Sequence, residues 1–202
     1  MTIEKGQIWG WPAPLPSDGV IVRDDADARF VLEQARAEGR PYPVLGILGG
    51  DLGRTLAAPG DEKRLRSADA MTFPLDLGQV LVDGRLHLFI AHLVVRSPLW
   101  TRAVVAMNAQ WVGPWNLGPK AHPNDGVLDT FDARLAVGDL WKVRRRLPTG
   151  THLPHPGIKV RRAAAVQFDL DKPMSVWLDG EVVDRGRTLS IRVEPDALLV
   201  VV

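Results

Sequence analysis

The spacing of apolar residues along the chain changes character once, near residue 70. Before that point the pattern is mixed. Residues 19–22 (Gly-Val-Ile-Val) form a short apolar run that predicts a strand. In residues 24–39 the apolar Ala28, Val31, Leu32 and Ala35 recur at helical spacing, and Gly39 suits the residue that closes a helix. Residues 43–48 are a second apolar run of strand length, leading into Gly49-Gly50-Asp51 and a further short helix over 52–56. Strand, helix, strand, glycine turn and helix make one βαβ-like unit. Residues 1–19 are rich in Gly and Pro and include Trp9 and Trp11, which predicts an irregular arm packing through its indoles.

Beyond residue 70 the apolar positions alternate or fall in short β-branched blocks. Residues 72–82 and 86–95 flank Asp83-Gly84, which supplies the positive φ of a tight reversal and predicts a long hairpin. Residues 103–107 and 127–131 predict strands. One amphipathic helix interrupts them over 137–147, with Asp139 near its start and Arg144, Arg145 and Arg146 at its end, signs that suit the helix dipole. The tail predicts strands over 159–161, 164–170, 175–178, 189–193 and 198–202, separated by turn residues in the manner of a sandwich or barrel.

Composition narrows the function classes. The chain has 202 residues, 46% apolar and 24% charged, enough for one sizeable core and too few for two full-size domains. A formal net charge of +1 argues against nucleic-acid binding and makes any anion site a local one. With no cysteine, disulfides, thiolate zinc sites and cysteine nucleophiles are excluded. No apolar run reaches the length of a membrane span, and the first residues lack the apolar core of a signal peptide. The expected location is cytoplasmic, with peripheral membrane contact as an option.

Several groups carry candidate chemistry. Gly49-Gly50-Asp51 is either a tight turn or a phosphate-approaching loop. Asp125, in Pro-Asn-Asp-Gly, is by composition a turn acid. His152 and His155 lie close in sequence, with His122 as a third imidazole, but the surrounding prolines favour a loop over a zinc site. Arg144 to Arg146, with Lys159, Arg161 and Arg162, form the main basic concentration and suit either solvent or anionic head groups. Seven tryptophans are many for this length. Trp111 and Trp115 flank Gly113-Pro114 and either fill space or line a groove.

Three stretches resemble the bacterial diacylglycerol kinase family, in which a nucleotide-binding α/β domain precedes a β-sandwich. They are Pro119-Lys120-Ala121 followed by Asp125-Gly126-Val127-Leu128, downstream of a strand ending in Asn108; the turn Asp179-Gly180-Glu181; and Ile191-Arg192-Val193-Glu194-Pro195-Asp196-Ala197-Leu198. The resemblance is similar in order and spacing, covers residues 100–202 well, and extends loosely to 74–80. Gly49-Gly50-Asp51 resembles the family's GGDGT loop with Leu52 at the third glycine. Alternatively, and preferably, residues 43–56 resemble the later LGIxP-x-GTxND segment with its middle removed.

The resemblance implies an α+β fold: a mainly antiparallel β-sandwich over residues 70–202, with a small N-terminal α/β remnant of the nucleotide domain over 1–69. It implies ATP-dependent phosphorylation of a lipid hydroxyl, with Glu181 as general base and Asp179 grouped with it as catalytic. Gly49, Gly50 and Asp51 become the nucleotide-binding set. A structural Mg²⁺ is held by the Asp125 side chain and the backbone of His122 and Val127. A lipid or anionic membrane surface is the implied partner, with a second copy or a separate nucleotide-binding subunit supplying what the remnant lacks. The alternative is a non-catalytic module that binds a lipid, a nucleotide or a protein, or one half of a split kinase.

Overall fold

The computed structural model describes residues 9–202. In chain order its elements are β1 (Trp11–Pro12), β2 (Val20–Val22), α1 (Asp25–Ala37), β3 (Leu45–Ile47), α2 (Gly50–Thr55), α3 (Glu62–Leu65), β4 (Met71–Val82), β5 (Arg85–Phe89), β6 (His92–Arg96), β7 (Arg102–Met107), β8 (Trp111–Val112), β9 (Trp115–Asn116), β10 (Leu128–Arg134), α4 (Val137–Arg146), β11 (Ile158–Ala163), β12 (Ala165–Leu178) and β13 (Glu181–Val201). The expected α+β architecture is present, and antiparallel strands dominate it.

Local chemistry explains most element ends. Asp24 caps α1 by accepting from the Asp27 N–H, and Gly39, just past its end, sits at φ +65°. The β4–β5 reversal has Asp83 at φ +46° and Gly84 at +88°, and the β12–β13 reversal has Asp179 at +51° and Gly180 at +88°. Both are the primed turns that Asp-Gly favours, because two left-handed residues match the twist of paired strands.

Among the described residues, eleven strands share one sheet in the order β1-β4-β13-β12-β6-β7-β10-β11. In addition, β5 pairs with β4, β3 with β13, and β2 with β3. The strands predicted separately over 164–170 and 175–178 are one strand, β12, and those over 189–193 and 198–202 lie in one strand, β13. Register shifts between Asp169 and Met174 and between Glu194 and Leu198 absorb the turn-like residues, Pro173 and Pro195 among them. Proline is tolerated at such irregularities because no ladder N–H is required there. The β2–β3 pair is parallel and adds to the end of β13 through Val200 opposite Leu45. The N-terminal α/β unit and the C-terminal strands therefore share backbone hydrogen bonds across residue 70.

Four apolar clusters fill the layers, the smallest joining Leu15 and Leu65 to Ala70 and Val201. One lies inside the curled sheet and includes Val80, Phe89, Leu93, Val104, Val176, Leu178 and Ile191. A second packs α1 and α2 on the sheet through Ala28, Leu32, Ile47, Leu52, Leu75 and Val200. A third lies outside β6, β7 and β10, beneath α4 and the β8–β9 hairpin, with Val94, Val105, Met107, Phe131 and Val143. Alternation along β6 assigns the faces: Leu93 and Val95 point to the first cluster, whereas His92 and Val94 point outward. Of the N-terminal arm, β1 pairs with Met71–Thr72, and Trp9 stacks at 4.8 Å on Phe73 and 4.6 Å on His122.

Candidate functional site

A polar cluster sits where α1, α2 and the β5–β6 and β12–β13 connections meet. Its first member is Asp25, in the opening turn of α1. Its carboxylate accepts from the Asp51 N–H at 2.6 Å and the Leu52 N–H at 3.1 Å, thereby capping α2 from another element. This explains the Gly49-Gly50 pair. Gly50 has φ +82°, and a Cβ there would lie 2.5 Å from an Asp25 oxygen. Two of the N–H groups that a phosphate would need at this turn are thus held by a carboxylate of the chain itself.

Asp51 points the other way. Its Oδ2 lies 2.9 Å from His92 Nε2, and both its oxygens accept from the Gly113 N–H at 2.9 Å. Arg54, one turn on, donates to the Gly113 carbonyl at 2.9 Å and lies 3.4 Å from the centre of the Trp111 ring. The tip of the β8–β9 hairpin is therefore fastened over α2, and Trp111 covers that helix.

Asp179 holds the centre. Its fully buried carboxylate accepts three backbone N–H groups, from Ile90 at 3.0 Å, Ala91 at 2.9 Å and His92 at 3.1 Å. Those bonds explain why the strand predicted over 86–95 is split into β5 and β6: the backbone at the break turns toward a side chain instead of a neighbouring strand. Glu181, two residues on, stands at the surface and pairs with Arg29 at 2.6 Å. Arg29 also reaches Glu33 at 3.2 Å, and its Nε lies 3.9 Å from Asp179. The two acids assigned together as catalytic thus stand in opposite settings, one enclosed by backbone donors and one open to solvent.

The electrostatics follow from this packing. Burial, reinforced by the nearby Asp179, pushes Asp25 up to about 7. Burial also pushes Asp179 up, against the pull of His92 and the three N–H groups. For His92, burial favours the neutral ring, but the hydrogen bond to Asp51 and the charge of Asp179 outweigh it and raise its pKa. Burial would raise Asp51 too, yet the bond from His92 and the Gly113 N–H hold it below the ordinary carboxylate range. The shifts at His92 and Asp51 both favour the charged forms of that pair, whereas the shift at Asp25 favours its protonated form.

The 119–127 segment forms a separate cluster. Asp125 Oδ1 accepts the Val127 N–H at 3.2 Å, while its Oδ2 pairs with Arg162. The same guanidinium reaches Asp129 at 2.9 Å. Asp76, beneath this turn, accepts from the Gly126 N–H at 2.7 Å and the Asp196 N–H at 3.0 Å, and burial pushes it up to about 6. The His122 Nδ1 accepts the Asn124 N–H at 3.2 Å. Both Asp125 oxygens are engaged by donors of the chain, and the adjacent positive charge comes from Arg162. This donor set does not fit a dication as it stands: Mg²⁺ takes six oxygen ligands, whereas here an arginine neutralises the carboxylates. Among the described residues, no group of three or more His, Asp or Glu side chains could hold a metal ion. His122, His152 and His155 do not converge on one another: His122 stacks on Trp9, His155 accepts the Gly157 N–H, and His152 lies beneath α4.

The third feature is an apolar cavity of about 410 Å³ between α4, the outer faces of β7 and β10, and Trp115 of the β8–β9 hairpin. Leu117 and Phe131 are buried in its wall, and Leu99, Val137 and Trp141, each about two-thirds exposed or more, stand at its rim. Arg144 also lines it, 5.6 Å from the Trp115 ring.

Reasoning from sequence missed Asp25, Arg29, His92 and the neutralising role of Arg162. A signal existed for the first two: Asp25 and Arg29 share the helical stripe that carries Ala28 and Leu32, so polar residues were placed on an apolar face. For His92 and Arg162 no local pattern distinguishes them from ordinary strand residues.

In this chain a curled antiparallel sandwich has its last strand paired with a small parallel α/β unit, and the sandwich is of the NAD-kinase-like class. Residues 72–202 match the family described as the YegS C-terminal NAD kinase beta sandwich-like domain, and the chain belongs to that family. Two solved structures provisionally described as a diacylglycerol kinase from Bacillus anthracis str. Sterne are similar, with TM-scores of 0.67 and 0.65 at 16% and 15% identity. A third, described as the structure of diacylglycerol kinases from the same organism, gives 0.62 at 16% identity. Each likeness covers 91% of this chain and 77% of the other. At such identity the likeness is one of fold. No curated protein matches the chain.

Proposed function

We propose that this chain is a lipid-binding member of the diacylglycerol-kinase-like family, taking an alkyl or acyl chain into the cavity beneath α4. The observation that carries this reading is the cavity itself. Its volume of about 410 Å³ lies within the range of small-ligand sites, its wall is apolar and aromatic, and its rim exposes Leu99, Val137 and Trp141. Arg144, Arg145 and Arg146 on the same helix put positive charge beside that rim, suited to an anionic membrane surface. The likeness to proteins described as diacylglycerol kinases supports a lipid as the ligand class.

Phosphoryl transfer is the second reading, and the exposed Glu181 carboxylate favours it, since a general base must reach the substrate hydroxyl. Against it stands the capping of α2 by Asp25, which occupies the donors that would meet a polyphosphate. ATP with Mg²⁺ would supply the phosphoryl group and its charge neutralisation; Glu181 is the acid of this chain exposed to a substrate there, held by the buried Arg29.

Titration of a fluorescent twelve-carbon acyl probe, followed by displacement with unlabelled lipids, tests the first reading. Saturable binding in the micromolar range supports it, and no binding refutes it. Radiolabelled ATP incubated with Mg²⁺ and diacylglycerol tests the second: absence of labelled lipid removes it.

A further inference from the structure

Among the described residues, the lining of the cavity holds no carboxylate and one cationic side chain, Arg144, in the last turn of α4. Arg144 is exposed, and its guanidinium lies over the Trp115 ring, 5.6 Å from the centroid. Trp115 meets Trp100 edge-on at 5.5 Å, and Trp100 carries a second guanidinium, that of Arg96, at 4.8 Å. Each arginine thus rests on an aromatic ring, and neither has a carboxylate partner among the described residues. The acid of α4, Asp139, is taken by Lys142 at 3.2 Å. A cation–π contact holds a guanidinium in place without neutralising its charge. Arg144 is therefore a positioned and unneutralised cation at the mouth of an apolar space.

Resting on the lipid-binding reading above, we infer that the site takes a single-chain amphiphile with an anionic head, a carboxylate or a phosphate monoester, and that Arg144 binds the head. The chain occupies the apolar space against Phe131 and Leu140. The head stays at the mouth, where the planar fork of Arg144 donates paired N–H bonds to two of its oxygens. Arg96, on the other ring of the tryptophan pair, adds to the positive field. Removal of the chain from water drives entry whatever the head is, so the head decides selectivity. A hydroxyl head makes only a singly charge-assisted bond to the guanidinium, weaker than the ion pair. A quaternary ammonium head is repelled by Arg144 and finds no acid in the lining.

The experiment displaces the fluorescent probe from the intact protein at pH 8 and low salt with dodecanoate, dodecyl phosphate, 1-dodecanol and dodecyltrimethylammonium. Both anions should bind at least about tenfold more tightly than the alcohol or the ammonium. A fatty acid and a lysophosphatidate are the two sources of such an anion, and the tighter of dodecanoate and dodecyl phosphate tells which of them the site prefers. Added salt should weaken the anions and leave the alcohol in place. Arg144→Gln should bring both anions to the affinity of the alcohol and abolish their salt dependence, with the alcohol itself unchanged. Arg145→Gln removes an exposed charge outside the lining and should change anion binding by less than about twofold. Both substitutions are at exposed positions and leave the fold in place. Equal binding of anions and alcohol, tighter binding of the ammonium, or an equal loss in the two variants would overturn the inference while leaving a generic chain-binding cavity intact. Failure of the probe to bind, or of every compound to displace it, would overturn the lipid-binding reading together with it.

Discussion

The polar cluster around Asp179 and the cavity beneath α4 lie on the same outer face of the sheet, joined by the β8–β9 hairpin, yet they differ in how their demands are met. In the cluster the carboxylates find their donors within the chain: Asp25 caps α2, Asp51 takes His92 and the Gly113 N–H, and Asp179 takes three backbone N–H groups, while Arg29 Nε and His92 Nδ1 stay buried without a hydrogen bond. The cavity is instead walled by apolar and aromatic side chains, with Arg144 the cation of its lining. A region that resembles a reactive site can be stabilised as architecture, and a region with no reactive residues can be the one that awaits a ligand. The family resemblance pointed to the first region; an apolar cavity with an exposed hydrophobic rim points to the second.

The comparison breaks most sharply at the two acids of the β12–β13 turn. Asp179→Ala leaves three buried N–H groups without their acceptor and removes a nearby negative charge from Arg29, and should destabilise the protein by roughly 3–5 kcal/mol in urea denaturation. If the variant unfolds at the unaltered midpoint, the architectural role of Asp179 is wrong.

Next in size is the dependence on pH. Asp25 and Asp76 are raised in the folded state to about 7 and about 6, so the folded protein binds protons more tightly than the unfolded chain above pH 4. Stability should therefore fall as pH rises from 4 to about 7 through Asp25 and to about 6 through Asp76, by up to about 1.4 kcal/mol per unit for each group. The raised pKa of His92 acts in the same direction, since its contribution is lost as pH rises through the folded value. Asp51, lowered in the folded state, acts oppositely and only as pH falls through the acid range. Asp25→Asn should flatten the slope, and a slope unchanged in that variant would show that Asp25 titrates normally.

Filling the cavity should affect binding more than folding. Ala133→Trp places an indole in the lining, and probe binding should fall at least about tenfold at a stability change of about 1–3 kcal/mol. Retained affinity would move the ligand elsewhere. Removing the internal cation is a smaller perturbation. Arg162→Ala leaves Asp125 and Asp129 without their guanidinium and should lower stability by about 1–2 kcal/mol, the half-exposed arginine being partly screened by solvent. Millimolar Mg²⁺ should then raise the Tm of the variant and leave that of the unaltered protein in place; a rise in the unaltered protein would show that a dication binds beside Arg162. Smallest is Glu181→Ala: its carboxylate is largely exposed and the buried Arg29 keeps Glu33 as a partner, so the loss should be about 1 kcal/mol or less.

Much of the fold is readable from local signals. The periodicity of Ala28, Leu32 and Ala35 sets α1, the Asp-Gly pairs at 83–84 and 179–180 set two primed turns, and alternation sets the strands. Those signals are local because each reports the geometry of a few consecutive residues. The joining of the separate tail segments into β12 and β13 was not readable, because bulges hide continuity behind turn-like residues.

The sequence by itself determined which residues alternate, where the chain reverses, and which acids and imidazoles are available. Only the tertiary structure decided that Asp25 caps a helix 25 residues downstream of it, that Arg162 faces Asp125, and that His152 is enclosed in an apolar wall. The physical reason is that periodicity and turn chemistry act over a few residues. Hydrogen-bond satisfaction and burial are instead settled between elements that meet only once the sheet has curled.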